Sequence, residues 1–233
     1  MANQIKIVFF DMEGVIFDVS KYNIKEKHKE IAVSAWPLVF AKLNALDRHA
    51  ELRDKFVKGE FGPKNCTDKW SDSACQVFKE KGLTKETFMD AINNMPLMAG
   101  AKETFEELHK RGYKTAIITG SFEELAERAK TLLVIDFIAA HCKMNFDKSG
   151  KLDSWKLISC DYEGKVEYFH KILKEAGLKP DNAAFIADEM NDMPLFKEAG
   201  FSIAFNSTKE EVKKAADVAI DKKDLREVLK HLK

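Results

Sequence analysis

The chain has 233 residues, of which 45% are hydrophobic and 33% are charged, a composition typical of a globular protein with a substantial core. Its 38 Lys and Arg residues balance 38 Asp and Glu residues, so no net field favours nucleic acid or an anionic membrane. The sequence has no apolar stretch of about 18 residues that would predict a membrane span, and no signal-peptide pattern. Four cysteines without metal-ligand spacing indicate reduced thiols in a cytoplasmic protein: Cys66, Cys75, Cys142 and Cys160.

The first element is an apolar run at residues 5–10, which predicts a strand buried on both faces. The run ends abruptly in Asp11, and a second carboxylate, Glu13, follows two residues later. Partly desolvated carboxylates require partners, and the carboxyl edge of an α/β sheet is where ligands bind. The pattern is therefore typical either of a ligand site or of a strand that ends in a solvated acidic turn.

Residues 18–94 show helical spacing without strand-like runs. We expect one or two helices bent near Pro37, a further helix stopped by Gly59, and a third around residues 70–78. Thr84 is expected to cap a fourth helix. Because aromatic residues at this spacing most often form the core of a bundle, the segment is predicted to be a helical insert.

From residue 96 onward the pattern alternates between strands and helices. We predict strands at residues 114–119, 136–141, 183–187, 201–205 and 218–220, with a β-hairpin over residues 143–158. We predict helices at residues 101–110, 165–176, 191–199 and from 224, and another that Ser121 starts through a capping box. Alternating units of this kind predict an α/β fold with a Rossmann-like, doubly wound, mostly parallel sheet.

Polar residues stand where several of these predicted elements meet. Thr119 and Gly120 follow the second strand, Asp188 and Asp192 follow a later strand, and Lys165 begins a helix. In a parallel sheet these strand ends share one edge. Carboxylates from two strands suit Mg²⁺, whereas a hydroxyl, the amino end of a helix and a lysine suit phosphate oxygens. Each residue alone has a structural explanation, as a sheet residue, a solvated helix start or a cap. Their order and their shared edge favour a functional site.

Four motifs occur in a fixed order along the chain: Asp11-Met12-Glu13-Gly14-Val15, Thr119, Lys165 and Asp188-Glu189-Met190-Asn191-Asp192. In this order they resemble the motifs of the haloacid dehalogenase (HAD) superfamily of phosphatases, and most of all its phosphoserine phosphatase branch. The resemblance implies a HAD core made of residues 1–17 and 96–233, with a helical cap domain at residues 18–95. It also implies an Mg²⁺-dependent phosphohydrolase that acts on a small phosphorylated metabolite through an aspartyl-phosphate, without nucleic acid or a membrane as partner.

The resemblance also implies a role for each polar residue of the motifs. The implied residues are, for catalysis, Asp11, Glu13 and Lys165; for substrate binding, Thr119, Gly120 and Asn191; for Mg²⁺, Asp11, Asp188 and the backbone carbonyl of Glu13; and in support, Asp192 and Glu189. The nucleophile would attack phosphorus, and the residue at position 13 would serve as general acid and then as general base.

Three departures from this branch bear on the substrate. Where the family has a second aspartate, this chain has Glu13. Ser20 stands near the place of a glutamate that meets the substrate ammonium, and only Lys69 stands near that of an arginine for the carboxylate. Glu189 stands where the family has a glycine, and it is either a further metal ligand or a solvated neighbour. We therefore expect a substrate other than phosphoserine.

Two other functions are compatible with the same residues. A phosphotransferase would pass the phosphoryl group from Asp11 to a small alcohol instead of water. A catalytically impaired module would only bind phosphate and metal, and Glu13 would then mark the loss of acid/base catalysis. Asp11 favours an enzyme over a binding module, because binding phosphate does not require a nucleophile.

Overall fold

The computed structural model describes residues 4–22, 24–26, 29–30, 34–63 and 66–232. Within these residues lie nine strands: β1 (Ile7–Phe10), β2 (Lys25–Glu26), β3 (Lys29–Glu30), β4 (Lys114–Phe122), β5 (Phe137–Phe146), β6 (Leu152–Leu157), β7 (Ala183–Ala187), β8 (Phe201–Phe205) and β9 (Val218–Ile220). Seven of them form one sheet in the order β6-β5-β4-β1-β7-β8-β9. Its pairs are parallel except for β5 with β6. The predicted mostly parallel sheet and the predicted hairpin are therefore confirmed.

The helices alternate with these strands, as expected for a doubly wound sheet. The described residues contain nine α-helices: α1 (Ala35–Lys42), α2 (Leu46–Val57), α3 (Cys66–Glu80), α4 (Lys85–Asn93), α5 (Ala101–Lys110), α6 (Glu123–Leu133), α7 (Glu163–Ala176), α8 (Met193–Glu198) and α9 (Glu210–Ala215). The predicted cap by Thr84 is confirmed, since its hydroxyl accepts a hydrogen bond from the Thr87 N–H at 3.2 Å. Among the helices described, none combines the length and the apolar character that a membrane crossing requires.

Strand β1 lies in the middle of the sheet, and all four of its residues are fully buried. Successive side chains of a strand point to opposite faces, so Val8 and Phe10 pack in one hydrophobic layer and Ile7 and Phe9 in the other. Both neighbours of β1, strands β4 and β7, run parallel to it. The polar residues after β1 and β7 therefore lie at the same edge of the sheet as the end of β4.

The predicted bend near Pro37 is wrong. Pro37 lies in the first turn of α1, where a backbone N–H has no acceptor within the helix, so the proline ring interrupts nothing. The chain breaks instead between α1 and α2, where Asn44 has a φ of 50° in the left-handed region that asparagine tolerates.

The predicted capping box at Ser121 is also wrong. Strand β4 continues to Phe122, and α6 begins at Glu123 without a side-chain cap. The Ser121 side chain is buried, and its interaction with Glu13 lowers the pKa of that carboxyl instead of capping a helix. Glu124, which would have completed the box, instead accepts a hydrogen bond from the Met144 N–H of β5 at 2.9 Å. Pairing between neighbouring strands therefore outweighs the local capping pattern.

Three smaller differences concern the ends of elements. The helix predicted at 191–199 begins as a 3₁₀ turn, Met190–Asp192, before α8. The helix predicted from residue 224 is a 3₁₀ helix, Leu225–Lys230. The insert contains the short antiparallel pair β2 and β3, although its sequence shows no strand-like run. The boundaries of this insert at residues 18 and 95 stay a prediction.

Helix α3 is attached to the β5–β6 hairpin by polar contacts. The Trp155 indole N–H donates to Asp72 Oδ1 at 2.9 Å, and His141 Nε2 lies 3.1 Å from the Ser71 hydroxyl oxygen. His141 is buried, and its Nδ1 accepts the Cys160 N–H at 3.1 Å, so Nε2 carries the proton in the neutral ring. These contacts fix one side of the insert to the sheet.

Candidate active site

A cavity of about 560 Å³ lies at the carboxyl edge of the sheet, below helices α1–α3. The sheet edge contributes seven of the nine site residues predicted from the sequence: Asp11, Glu13, Thr119, Gly120, Asp188, Glu189 and Asn191. The remaining two, Lys165 and Asp192, are buried. Lys165 contacts Asp11 directly, and Asp192 is connected to Asp11 through Lys165. All nine predicted residues therefore meet in one place, as expected for strand ends of a parallel sheet.

Lys165 connects two of the carboxylates. Its Nζ lies 2.7 Å from Asp11 Oδ1 and 2.6 Å from Asp192 Oδ1, and its side chain is fully buried. Burial alone would lower the pKa of Lys165, but the charges of Asp11 and Asp192 outweigh it and hold the pKa well above its usual value. The lysine is therefore a permanent cation that fixes the orientation of the Asp11 carboxylate.

Three carboxylates form a compact cluster around this point. Oxygen atoms of Asp11, Asp188 and Asp192 lie within 4.8 Å of one another. The buried Oδ1 of Asp188 has no hydrogen-bond partner among the described residues. A Cβ at Gly14 would lie 2.2 Å from Asp188 Oδ2, and Gly14 has a φ of 88°, so only glycine fits there. A donor set of oxygen atoms with an unpartnered carboxylate oxygen fits a hard divalent cation such as Mg²⁺.

The cluster contains more carboxylates than the neighbouring lysine can neutralise. Burial, followed by the nearby charge of Asp11, raises the pKa of Asp188 well above its usual value. Burial also raises the pKa of Asp192 to about 7, against the opposing effect of Lys165. One lysine cannot neutralise three buried carboxylates, so the site favours additional positive charge, as a proton or as a metal ion.

Glu13 contacts the insert. Its Oε1 accepts a hydrogen bond from the Ala35 N–H, the first residue of α1, at 2.5 Å. Ser34 precedes that residue but makes no side-chain cap, so Glu13 takes the role of the capping acceptor at this helix terminus. Burial raises the pKa of Glu13 to about 7, although the Ala35 N–H acts in the opposite direction. A carboxyl group with this pKa suits proton transfer near neutral pH.

The end of β4 forms the floor of the cavity. Thr119 is buried, and its hydroxyl oxygen accepts the Ser121 N–H at 3.3 Å. The Gly120 carbonyl accepts a hydrogen bond from the Trp36 indole N–H at 3.1 Å. A Cβ at Gly120 would lie 2.9 Å from Asp161 Cγ, so a larger residue would disturb this wall. A hydroxyl beside an open backbone segment is a suitable arrangement for binding phosphate oxygens.

The last motif contributes contacts at the rim. Asn191 Nδ2 donates to Asp161 Oδ1 at 2.7 Å. The carboxylate of Glu189 lies 3.5 Å from Lys209 Nζ, and the Glu189 backbone N–H donates to Asp192 Oδ2 at 3.2 Å. Glu189 is half-exposed and stands apart from the three-carboxylate cluster. Glu189 was expected to be either a further metal ligand or a solvated neighbour of the site, and this geometry favours the solvated neighbour.

Sequence reasoning missed several residues that line the cavity, among them Arg53, Asp161 and Tyr162. Lys69, the expected cation of the insert, instead donates to the Phe61 carbonyl at 2.8 Å, and Arg53 of α2 lines the cavity together with Lys209. The position of Asp161, four residues before Lys165, is the one signal that could have identified it. Arg53 lies on an exposed stretch of helix and carries no such signal.

The fold and the carboxylate site define a class of hydrolase. Residues 5–200 match the haloacid dehalogenase-like hydrolase family. This match covers most of the chain, and the protein belongs to that family. The predicted membership of the HAD superfamily, and the prediction that the chain is an enzyme, are confirmed.

Within the family, the chain is similar to several phosphoserine phosphatases, as predicted. That of Methanocaldococcus jannaschii is 36% identical over 160 residues, covering 66% of this chain and 72% of the relative. That of Wolinella succinogenes is 25% identical, covering 97% of this chain and all of the relative. The chain spans 58% of the Archaeoglobus fulgidus phosphoserine phosphatase, to which it is 27% identical.

Solved structures show the same relationship. A phospho-aspartyl intermediate analogue of phosphoserine phosphatase superposes with a TM-score of 0.77 at 25% identity, covering 99% of this chain and all of that one. A substrate-bound phosphoserine phosphatase complex superposes with a TM-score of 0.76 at 26% identity, covering 99% of both chains. The α/β HAD fold predicted from the sequence is therefore confirmed for the part of the chain that the structure describes.

Proposed function

We propose that the protein is an Mg²⁺-dependent phosphohydrolase of small phosphate monoesters that acts through an aspartyl-phosphate on Asp11. The observation that carries the proposal is the position of the Asp11 carboxylate, which lines the cavity and is held 2.7 Å from Lys165. Binding phosphate does not require a nucleophile at this point, whereas covalent phosphoryl transfer does.

In the first step, an Asp11 carboxylate oxygen attacks phosphorus and the bond from phosphorus to the leaving alkoxide breaks. Thr119, Gly120 and Lys165 bind the phosphoryl oxygens while negative charge is redistributed among them. The contact between Lys165 and Asp11 orients the nucleophile and opposes the effect of burial, which raises the pKa of Asp11.

Glu13 transfers a proton in each step, as general acid in the first and as general base in the second. With its pKa raised to about 7 by burial, it holds a proton for the leaving alkoxide near neutral pH. The resulting carboxylate then removes a proton from the water that attacks phosphorus of the aspartyl-phosphate, and the bond from phosphorus to the Asp11 oxygen breaks. The products are the alcohol and inorganic phosphate, and Glu13 is protonated again.

The carboxylates of Asp11 and Asp188 and the backbone carbonyl of Glu13 would hold Mg²⁺, with Asp192 in support. When bound, the cation supplies charge neutralisation between the nucleophile and the phosphoryl oxygens. The unpartnered Oδ1 of Asp188 supports this assignment. The insert at residues 18–95 would act as a cap that excludes water, and four free cysteines are consistent with a reducing cytoplasmic location.

L-phosphoserine is expected not to be the best substrate in a panel of phosphorylated metabolites. Ser20, at the place of the ammonium partner, binds Asp18 at 2.7 Å and does not line the cavity. Asp161 already binds Asn191, and Glu189 already binds Lys209. A substrate ammonium group would therefore find these two carboxylates already paired. Losing such a paired contact lowers discrimination by roughly 10-fold or more.

The measurement is kcat/KM for each phosphate ester with Mg²⁺ present. Turnover of several esters without L-phosphoserine at the top supports the proposal. A top rank for L-phosphoserine would contradict the interpretation of Ser20, and no turnover of any ester would contradict the phosphohydrolase itself. Adding small alcohols to the same assay distinguishes hydrolysis from transfer, because a transferase would form new phosphate esters.

Mg²⁺ is expected to raise Tm more at about pH 8 than at about pH 6. The pKa of Asp192 is about 7 in the folded protein, whereas an unfolded aspartate titrates near ~3.9. Between these values the folded protein binds the extra proton, so metal-free stability is highest in acid and falls as pH rises through about 7. A bound Mg²⁺ replaces the positive charge of the lost proton. At an Mg²⁺ concentration of ~100 times Kd, binding adds about 2.7 kcal/mol to the free energy of unfolding, or roughly 5–10 °C to Tm.

Thermal unfolding with and without MgCl₂ provides the measurement, and two variants provide the comparison. Asp188→Asn removes one buried charge, so metal-free Tm should rise while the Mg²⁺-induced shift falls. Asp217→Asn changes a carboxylate outside the site, which accepts the Ser202 N–H at 2.8 Å. This variant should retain the Mg²⁺-induced shift of Tm. Equal shifts in all three proteins would place the cation elsewhere.

A further inference from the structure

The wall of the cavity that faces the sheet edge is rich in aromatic side chains. Trp36 of α1, Phe56 of α2 and Trp70 of α3 line it, and Tyr162 lies beside the start of α7. In the same wall, the described residues of α1–α3 contribute no carboxylate. The polar residues that these helices contribute to the wall are His49, Arg53, Thr67 and Ser71. The part of the cavity away from the phosphate site therefore offers aromatic surface and receives no negative charge from those helices.

The ring nearest the phosphate site is fixed in place. Trp36 donates its indole N–H to the Gly120 carbonyl at 3.1 Å, which holds the indole beside the proposed phosphate-binding segment. It packs on Phe122 with a centroid distance of 4.2 Å and meets Trp70 edge-to-face at 5.3 Å and 76°. Because these contacts restrain both tryptophans, the wall is preorganised and does not need to rearrange around a bound group.

Several of these rings keep apolar surface toward the cavity. Phe56 and Trp70 are only half-buried, and 36% of Tyr162 is exposed. Tyr162 has a φ of 46°, a conformation that non-glycine residues rarely adopt and that is concentrated at functional sites. Apolar surface left uncovered beside polar groups indicates a place where a ligand binds.

The dimensions of the cavity favour an occupant larger than a short aliphatic chain. A volume of about 560 Å³ lies within the range of cavities that bind ligands with one or more rings. A two- or three-carbon leaving group attached to a phosphate on Asp11 would leave Phe56 and Trp70 in contact with water. A planar ring would cover them and gain edge-to-face or stacked contacts.

We infer that the leaving group of the substrate carries an aromatic or heteroaromatic ring, which binds between Trp36, Trp70 and Phe56 while its phosphate lies at Asp11. This inference rests on the proposed phosphohydrolase and specifies its substrate class. Trp70 is the specificity-determining residue, because it is the half-buried tryptophan in the wall.

The test compares three phosphate esters of primary alcohols, whose leaving groups need protonation to a similar degree. Benzyl phosphate presents a planar ring, cyclohexylmethyl phosphate presents a saturated ring of similar size, and ethyl phosphate presents neither. With the wild-type chain and Mg²⁺, kcat/KM for benzyl phosphate should exceed that for ethyl phosphate by about 10- to 100-fold. It should exceed that for cyclohexylmethyl phosphate by roughly 3- to 10-fold, the increment that aromatic contacts add.

The variant Trp70→Leu should lower the ratio of benzyl to ethyl phosphate by about 3- to 10-fold, the increment that the aromatic contacts add. Phe201→Leu is the control, since Phe201 of β8 is a half-buried aromatic residue that does not line the cavity, and it should keep the wild-type ratio. Near-UV circular dichroism checks that both variants are folded.

The outcomes distinguish a failure of the aromatic leaving group from a failure of the phosphohydrolase. Turnover of ethyl and benzyl phosphate at similar kcat/KM by the wild-type chain overturns the aromatic leaving group and leaves the phosphohydrolase standing. Equal rates for the benzyl and cyclohexylmethyl esters also overturn it, because size alone would then explain the preference. No turnover of any ester overturns the phosphohydrolase and this inference with it. The kcat/KM ratios among the three esters, measured with the wild-type chain, test the inference even if Trp70→Leu does not fold.

Discussion

Asp11→Asn is expected to lower kcat by at least about 10³-fold while the protein stays folded. The neutral amide keeps the shape of the carboxylate, but its oxygen is a poor nucleophile and a weaker ligand for Mg²⁺. The substitution also removes the charge partner that lies 2.7 Å from Lys165, although Asp192 at 2.6 Å keeps that lysine paired. Loss of chemistry should therefore exceed any loss of stability.

Steady-state turnover and covalent labelling together provide the measurement. Wild-type protein quenched in acid during turnover should retain phosphate on the chain, and Asp11→Asn should retain none. Asp136→Asn is a matched control at the opposite edge of the sheet, where Asp136 accepts the Thr115 N–H at 2.8 Å. Activity of Asp11→Asn within about tenfold of wild type would refute Asp11 as the nucleophile.

Glu13→Gln is expected to lower kcat by roughly 10²- to 10⁴-fold with alkyl phosphates, because proton transfer to the alkoxide is lost. Its amide oxygen can still accept the Ala35 N–H, so the contact with α1 is retained in kind. With p-nitrophenyl phosphate the first step should slow far less, since this leaving group needs little protonation. Decay of the aspartyl-phosphate should remain slow, because water still requires a base.

The two steps separate in pre-steady-state kinetics. With p-nitrophenyl phosphate, Glu13→Gln should release a burst of p-nitrophenol equivalent to the enzyme, followed by a slow steady rate. Equal and mild losses on both kinds of substrate, with no burst, would show that Glu13 has only a structural role. The phosphotransferase and the binding module would then gain support.

Much of the fold follows from local patterns. The apolar runs that became β1 and β7 are strong signals, because a strand buried on both faces needs nearly continuous hydrophobic residues. The contact between Lys165 and Asp11 joins residues 154 positions apart. The sequence predicts that both residues lie at the same edge of the sheet, because the order of the motifs brings strand ends and a helix start together there.

The parts that the sequence did not predict depend on tertiary placement. Ser121 fits a local capping box, but pairing with β5 extends the strand past it, and Glu124 binds a backbone N–H of that strand instead. Arg53 looks like any exposed helical arginine until α2 is placed above the sheet edge. The same is true of the bond between Glu13 and Ala35, which requires the start of α1 to reach the end of β1.

That bond has a consequence for how the cavity exchanges its contents. Helix α3 is attached to the β5–β6 hairpin, whereas α1 reaches the sheet edge through the Ala35 N–H and the Trp36 indole, both at the site itself. Lifting α1 to release a product separates the Glu13 carboxylate from its donor in the same movement. Such a movement of α1 would couple opening of the cavity to the position of the Glu13 carboxylate, on the microsecond-to-millisecond scale of loop and helix motions. In the proposed mechanism, Glu13 would then be held in place to activate water only while the cavity is closed.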